Sequence, residues 1–189
     1  AQLTDRELKP VRQSAQRVFQ DPFSALNPRM NVRDIVGEPL VIHGLATGAD
    51  LDDRVSEVLA RVGLQPEHRA RYPHAFSGGQ RQRSGIARVL IMRPSLIVCD
   101  EAKSALVGSV QAQVLNLLET LVKELGLTLA FISHDLSVIR RLCSRVLVLY
   151  RGEIVENAPT AEVFNAPKAA YTRELLDAIP LPDPDQVWA

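Results

Sequence analysis

Apolar positions along the chain change their spacing near residue 93, and that change predicts two kinds of structure. Between residues 32 and 42, Val32, Ile35, Val36, Pro39 and Leu40 recur at helical intervals. Between about Leu51 and Val62, Val55, Val58, Leu59 and Val62 share one helical face, with Asp50 placed to cap the start and Gly63 to end it. A third helix is expected from about Gln80 to Met92, ahead of Pro94. Beyond it, Leu96-Ile97-Val98-Cys99 is an unbroken apolar run, as in a strand covered on both faces. A long helix over about Val110–Leu125 stops at Gly126; Leu127–Ile132 reads as a second buried strand, Leu136–Leu142 as a short helix and Arg145–Leu149 as a third strand. Gly152 turns that strand into Glu153-Ile154-Val155. Strands alternating with helices predict an α/β layer with a largely parallel sheet.

The two ends are less regular. Residues 1–17 are polar, with Glu7, Lys9, Arg12 and Arg17 interrupted by Pro10, and Val18-Phe19 reads as the end of a short strand. Asp21-Pro22 and Asn27-Pro28 are turn signals. Pro180, Pro182 and Pro184 predict an extended tail.

Composition narrows the function. Twenty-two basic and 22 acidic residues leave a formal net charge of zero, which argues against nucleic-acid binding through bulk electrostatics. Cys99 and Cys143 have no metal-ligand spacing, so a reducing compartment fits. No apolar run approaches the ~20 residues that cross a bilayer, so work at a membrane means docking from the water side.

Four places carry candidate chemistry. In Phe76-Ser77-Gly78-Gly79-Gln80-Arg81-Gln82-Arg83 a serine and two glycines lead into a helix. Unpaired amides and partial positive charge at a helix start suit an anion, and glycine lets the backbone approach it; the plainer reading is an N-cap. Asp100-Glu101 close an apolar strand at its carboxyl end, where α/β sheets bind ligands. Asp100 could hold Mg²⁺ and Glu101 could orient or deprotonate a water; solvated acids are the alternative. His134 follows the next strand and could hydrogen-bond a phosphate oxygen, with Asp135 capping the following helix, or it could be a structural loop histidine. Gln20, after Val18-Phe19, has meaning only in company.

In order along the chain, these pieces resemble the ATP-binding cassette (ABC) family: Gln20 the Q-loop, Ser77-Gly78-Gly79-Gln80 the signature loop, Asp100-Glu101 the end of Walker B, His134 the switch histidine. The spacings fit, with 57 positions from Gln20 to Ser77, 23 from Ser77 to Asp100 and 33 from Glu101 to His134. The stretch from Val18 to Met30, the run Ser109–Leu115 and Tyr171–Leu176 with Ala178-Ile179-Pro180 are similar to the oligopeptide/dipeptide importer subfamily.

The resemblance implies an α/β, P-loop NTPase-like parallel-sheet core with an inserted helical subdomain and its N-terminal part missing. It implies four segments: 1–26, core up to the Q-loop; 27–92, helical signature subdomain; 93–158, core with Walker B and the switch histidine; 159–189, a C-terminal extension. It implies ATP bound through Gln20, Ser77, Gly78, Gly79 and Gln80, Mg²⁺ at Asp100 and Gln20, and catalysis by Glu101 and His134. The expected role is the nucleotide-binding subunit of an importer of peptides or similar solutes, an ATPase. Implied partners are a second ABC ATPase subunit, identical or different, and integral membrane permease subunits, without nucleic acid. The implied location is the cytoplasm, on the inner face of the cell membrane. With no cysteine after Cys143, no iron–sulfur cluster is expected.

Departures from the family pattern shape these expectations. No G-x-x-x-x-G-K-[ST] occurs, so the chain alone is expected neither to bind ATP tightly nor to hydrolyse it, and its sheet is expected to have an open edge. Val107 replaces an aspartate, Ala102 a proline, and Ala169-Ala170 stand where His-Pro is common. Two other roles remain open: a catalytically silent interaction or regulatory ABC module, and a non-transport ABC ATPase.

Overall fold

The fold is described for residues 4–18, 26–100 and 108–178 of a computed structural model. The chain forms two compact units, residues 1–132 and 133–189.

The first unit begins with α1 (Asp5–Ser14), which the sequence reading treats as irregular. Pro10 lies inside it, but Thr4 and Glu7 form a reciprocal capping box that fixes its start, with Glu7 accepting from the Thr4 amide at 2.9 Å. Strand β1 (Ala15–Val18) follows directly. Helices α2 (Val32–His43), α3 (Gly48–Arg61) and α4 (Gly78–Leu90) bury the stripes their spacing predicts. Val32, Val36, Leu40, Val55, Leu59, Val62 and Ile86 are almost wholly buried. Asp50 is not the cap of α3: Thr47 holds that position and Asp50 lies in the first turn, where Arg54 donates to it at 3.0 Å. Gly63 ends α3 as expected, with φ at +72°.

Strands β2 (Leu96–Asp100) and β3 (Thr128–Ile132) join β1 in a parallel sheet of order β1-β2-β3, bridged by α5 (Gly108–Leu125). Register pairs Val18 with Cys99, and Asp100 with Ile132, so the strands present their carboxyl ends together. Only one face of β2 is fully buried. Ile97 and Cys99 join the core that includes Val114, Leu118 and Leu121, while Leu96, Val98 and Asp100 on the opposite face are half-exposed. Among the described residues β3 has a strand neighbour on one side only, and Ile132 on its outward face is 54% exposed. Burial of Cys99 pushes its thiol up to about 12, so it remains protonated and unreactive at neutral pH.

The second unit holds α6 (Leu136–Leu142), β4 (Arg145–Tyr150), β5 (Glu153–Pro159), α7 (Thr160–Asn165) and α8 (Ala170–Asp177). Strand β4 does not extend the parallel sheet; it pairs antiparallel with β5. Arg151 and Gly152 both have positive φ, 51° and 87°, as a two-residue hairpin with the right twist requires. Val148, Ala158 and Val163 form a small core flanked by Phe164, Tyr171 and Leu175.

Glu156 ties this unit together. Its carboxylate is buried on β5 and accepts from the backbone amides of Lys168 at 2.9 Å and Ala169 at 3.1 Å, at the approach to α8. Those bonds, the Lys168 amide foremost, lower its pKa below the ordinary value of 4.5. A lowered folded-state pKa contributes stability that is complete above the unfolded value and is lost as pH falls through the folded value. Acid unfolding of the second unit, followed by tyrosine fluorescence below pH 4.5, should therefore be blunted in Glu156→Gln.

Candidate functional site

The turn into α4 is built from its own residues. Ser77 is the N-cap: its hydroxyl accepts from the Gln80 amide at 3.3 Å, and the Gln80 side-chain oxygen accepts from the Ser77 amide at 3.0 Å. The two side chains therefore satisfy each other's backbone, and the Ser77 hydroxyl still has its own proton to donate. Amides at the first positions of a helix, here Gly78 and Gly79, have no intrahelical acceptor. Ser77 is exposed, Gly78 half-buried and Gly79 buried. An anion approaching from the Ser77 side meets one hydroxyl donor and the positive end of a helix of 13 residues.

Arginines fix the direction in which that helix points. Arg81 donates to the Pro73 carbonyl at 2.8 Å, Arg83 to the Val62 carbonyl at 3.3 Å and to Gln113 of α5 at 3.1 Å, and Arg88 pairs with Glu38 of α2 at 2.7 Å. Phe76, just before the N-cap, is buried edge-on against His68 with ring centroids 5.4 Å apart. The string that looks like an anion-binding turn is thus also a packing device: Arg81, Arg83 and Arg88 hold the helix while Ser77 is left exposed. Ser77→Ala removes one half of the capping box and should cost about 1 kcal/mol. The midpoint of urea unfolding measures it, and an unchanged midpoint would show that the cap is not formed.

Asp100 ends β2 at the carboxyl edge of the sheet, where the sequence places it. Its carboxylate is engaged by Arg17 of β1, a residue the sequence reading did not single out as functional. The pair lies at the half-exposed face, with side-chain exposures of 55% for Arg17 and 31% for Asp100. Gln20, Glu101, Ala102 and Val107 lie outside the described residues, as does the proline-rich tail. No hydrogen bond among the described residues joins Asp100 to the Ser77–Gln80 turn.

His134 belongs to the second unit and is exposed. The loop around it is held on both sides. The Asp135 amide donates to the Ser133 hydroxyl at 3.0 Å, and Asp135 caps α6 by accepting from the amides of Ser137 at 2.9 Å and Val138 at 3.3 Å. The cap is the one read from the sequence, and it fixes the backbone from which the imidazole projects.

A Mg²⁺ ion commonly takes one or two carboxylates together with substrate phosphates and water. Asp100 supplies a hard, partly accessible oxygen at the strand tip and fits such an ion, on condition that the Arg17 contact yields. Among the described residues no group of three His, Cys, Asp or Glu side chains gathers.

Comparison with known proteins agrees with this architecture. Residues 1–104 match the family model described as ABC transporter. The chain is 52% identical over 181 residues to the oligopeptide transport ATP-binding protein OppF of Bacillus subtilis, a match covering 95% of this chain and 59% of that protein. It is 46% identical over 185 residues to the glutathione import ATP-binding protein GsiA of Pectobacterium atrosepticum, covering 98% and 30%. Among solved structures, CbiO1 from Clostridium perfringens, part of the ABC transporter complex CbiONQ, superimposes with a TM-score of 0.75 at 29% identity, covering 85% of this chain and 63% of that one. The chain thus spans less than two thirds of the length of each of these relatives. Its three-stranded parallel sheet is part of a P-loop NTPase-like α/β fold. Motif order, fold and relatives coincide, and the chain belongs to the ABC transporter family, on the side of its ATP-binding proteins.

Proposed function

We propose that this chain is part of the nucleotide-binding subunit of an ABC importer, coupling ATP binding and hydrolysis to the uptake of peptides or similar solutes. The observation that carries this reading is the Ser77-Gly78-Gly79-Gln80 turn: a self-capped helix start with an accessible hydroxyl, on a helix held by Arg81, Arg83 and Arg88. Its relatives OppF and GsiA are named as ATP-binding proteins of oligopeptide transport and glutathione import, which points to peptides as the solute class.

In this reading Ser77, Gly78, Gly79 and Gln80 face the triphosphate of an opposing ATPase subunit, and Gln20 and Asp100 serve the chain's own nucleotide. Mg²⁺, when bound at Asp100 and Gln20, would neutralise phosphate charge. Glu101 aligns and deprotonates the attacking water, and His134 donates to a phosphate oxygen. Groups divided between two subunits meet only on closure, so assembly gates turnover. The four segments 1–26, 27–92, 93–158 and 159–189 carry the Q-loop, the signature turn, the acids with the histidine, and the subfamily extension. The second ATPase subunit and the permease subunits place the chain on the cytoplasmic side of the membrane, and no described helix is long and apolar enough to cross it. The 189 residues contain no phosphate-binding loop motif, so by themselves they should bind ATP only weakly.

The test is reconstitution of a transporter containing this chain, with its permease and partner ATPase, in vesicles. ATP-driven accumulation of a labelled oligopeptide is the expected result. Hydrolysis without uptake of any solute would favour a non-transport ATPase. Uptake unaffected by Glu101→Gln would favour a catalytically silent module.

A further inference from the structure

Arg17 and Asp100 stand on neighbouring parallel strands. Arg17 is in register with Val98, and residues two apart share a face, so Arg17, Val98 and Asp100 lie on the same side of the sheet. The guanidinium reaches forward along β1 and donates to Oδ2 of Asp100. Asp100 is the carboxylate assigned above to the divalent cation. An oxygen that accepts from a guanidinium offers its lone pairs less readily to a metal, and a positive charge left beside the metal repels it.

We propose that Arg17 is a positioning residue that competes with the divalent cation for Asp100, and so sets the cation concentration at which the strand tip fills. The inference rests on the reading of Asp100 as a metal ligand. Three observations support it. The pair is half-exposed, with 55% and 31% of the two side chains open to solvent, so it can exchange with an ion from solution. Exposed pairs of this kind are weak enough to open without disturbing the fold. Arg17 is held in the β1 ladder, so on release it stays within reach and can close again when the cation leaves. Asp100 thus has a protein counter-charge in the empty state, and the cation must displace it.

Manganese alone, titrated into the isotopically labelled full chain, reads the competition through paramagnetic broadening of the Val98, Cys99 and Val18 amide signals. In the wild-type chain those signals should broaden at a given Mn²⁺ concentration, and in Arg17→Gln at about a two- to five-fold lower one, the range expected from removing one exposed ion pair. Arg17→Lys, which retains the charge, should remain near wild type. Asp100→Asn should abolish the broadening in both the wild-type and Arg17→Gln backgrounds. A merely structural ion pair would move the unfolding midpoint of Arg17→Gln but not its Mn²⁺ concentration. If Asp100→Asn abolishes broadening and Arg17→Gln titrates as wild type, the competition is overturned while Asp100 remains a ligand. If Asp100→Asn changes nothing, the ligand reading fails and the proposal with it. Should Arg17→Gln not fold, Arg17→Met, which preserves the apolar stem, takes its place with the same two outcomes.

Discussion

Replacing Glu101 with glutamine in the assembled transporter should slow ATP hydrolysis by about 100- to 10,000-fold, the usual contribution of a positioned general base. Glutamine has nearly the same shape and can still hold a water by hydrogen bonding, but it cannot accept the proton. The effect should therefore fall on turnover and leave the affinity for ATP close to wild type, a split that single-turnover kinetics and nucleotide titration separate. Position supports this choice over Asp100. Asp100 is the last residue of β2 and is already engaged by Arg17, which suits a ligand or counter-charge better than a base. Glu101 is the next residue in the chain and has no such partner assigned to it by its motif. A loss below tenfold would remove Glu101 from the chemistry and leave the water to another group.

Ile86→Ala should cost the first unit about 2–5 kcal/mol, because it deletes buried methyl and methylene groups and leaves a cavity that the surroundings fill only in part. Ile86 has no solvent exposure and lies in α4, between the Arg83 and Arg88 contacts and beside Ala87, itself fully buried. The same core contains Leu59 and Val62 of the α3 end and Val36 of α2. Loosening it at Ile86 thus frees the helix whose first turn is the candidate anion site. Urea unfolding of the chain reads the loss directly. In the assembled transporter the same substitution should weaken ATP-dependent subunit closure although it lies nine residues from Ser77. A loss under about 1 kcal/mol would mean that α4 is held by its arginines and not by the core.

What the sequence revealed, and what it concealed, follows from the range of each interaction. Helices α2 and α4 were legible because their apolar spacing repeats over three turns and their caps are local. Helix α1 was not, because Pro10 breaks the pattern inside it and the signal that fixes its start is one polar pair, Thr4 with Glu7 three residues on. At α3 the N-cap is Thr47, three residues before Asp50, so the carboxylate lies inside the first turn and not at the cap. The Leu96–Cys99 run correctly marked a strand, but an apolar run cannot say how many faces are covered, and here one remains half-open. Strand β4 has the same apolar character, yet its partner is decided by the two positive-φ residues Arg151 and Gly152, which fold β5 straight back onto it.

The candidate site divides in the same way. Ser77–Gln80 and Ser133–Asp135 could be read because each is one contiguous turn whose hydrogen bonds span two or three residues. Arg17 could not, since its partner lies 83 positions away and only strand register brings the two together. A charged residue inside a four-residue strand, on the same parity as a terminal acid of its neighbour, becomes a signal only once that register is known.

The most direct test is a structure of the complete transporter containing this chain, trapped with a non-hydrolysable ATP analogue and Mg²⁺. The Ser77 hydroxyl and the Gly79 amide should lie about 3 Å from γ-phosphate oxygens of the nucleotide held by the opposing subunit. A triphosphate bound elsewhere, with the turn before α4 facing open solvent, would contradict the assignment of that turn and the division of labour built on it.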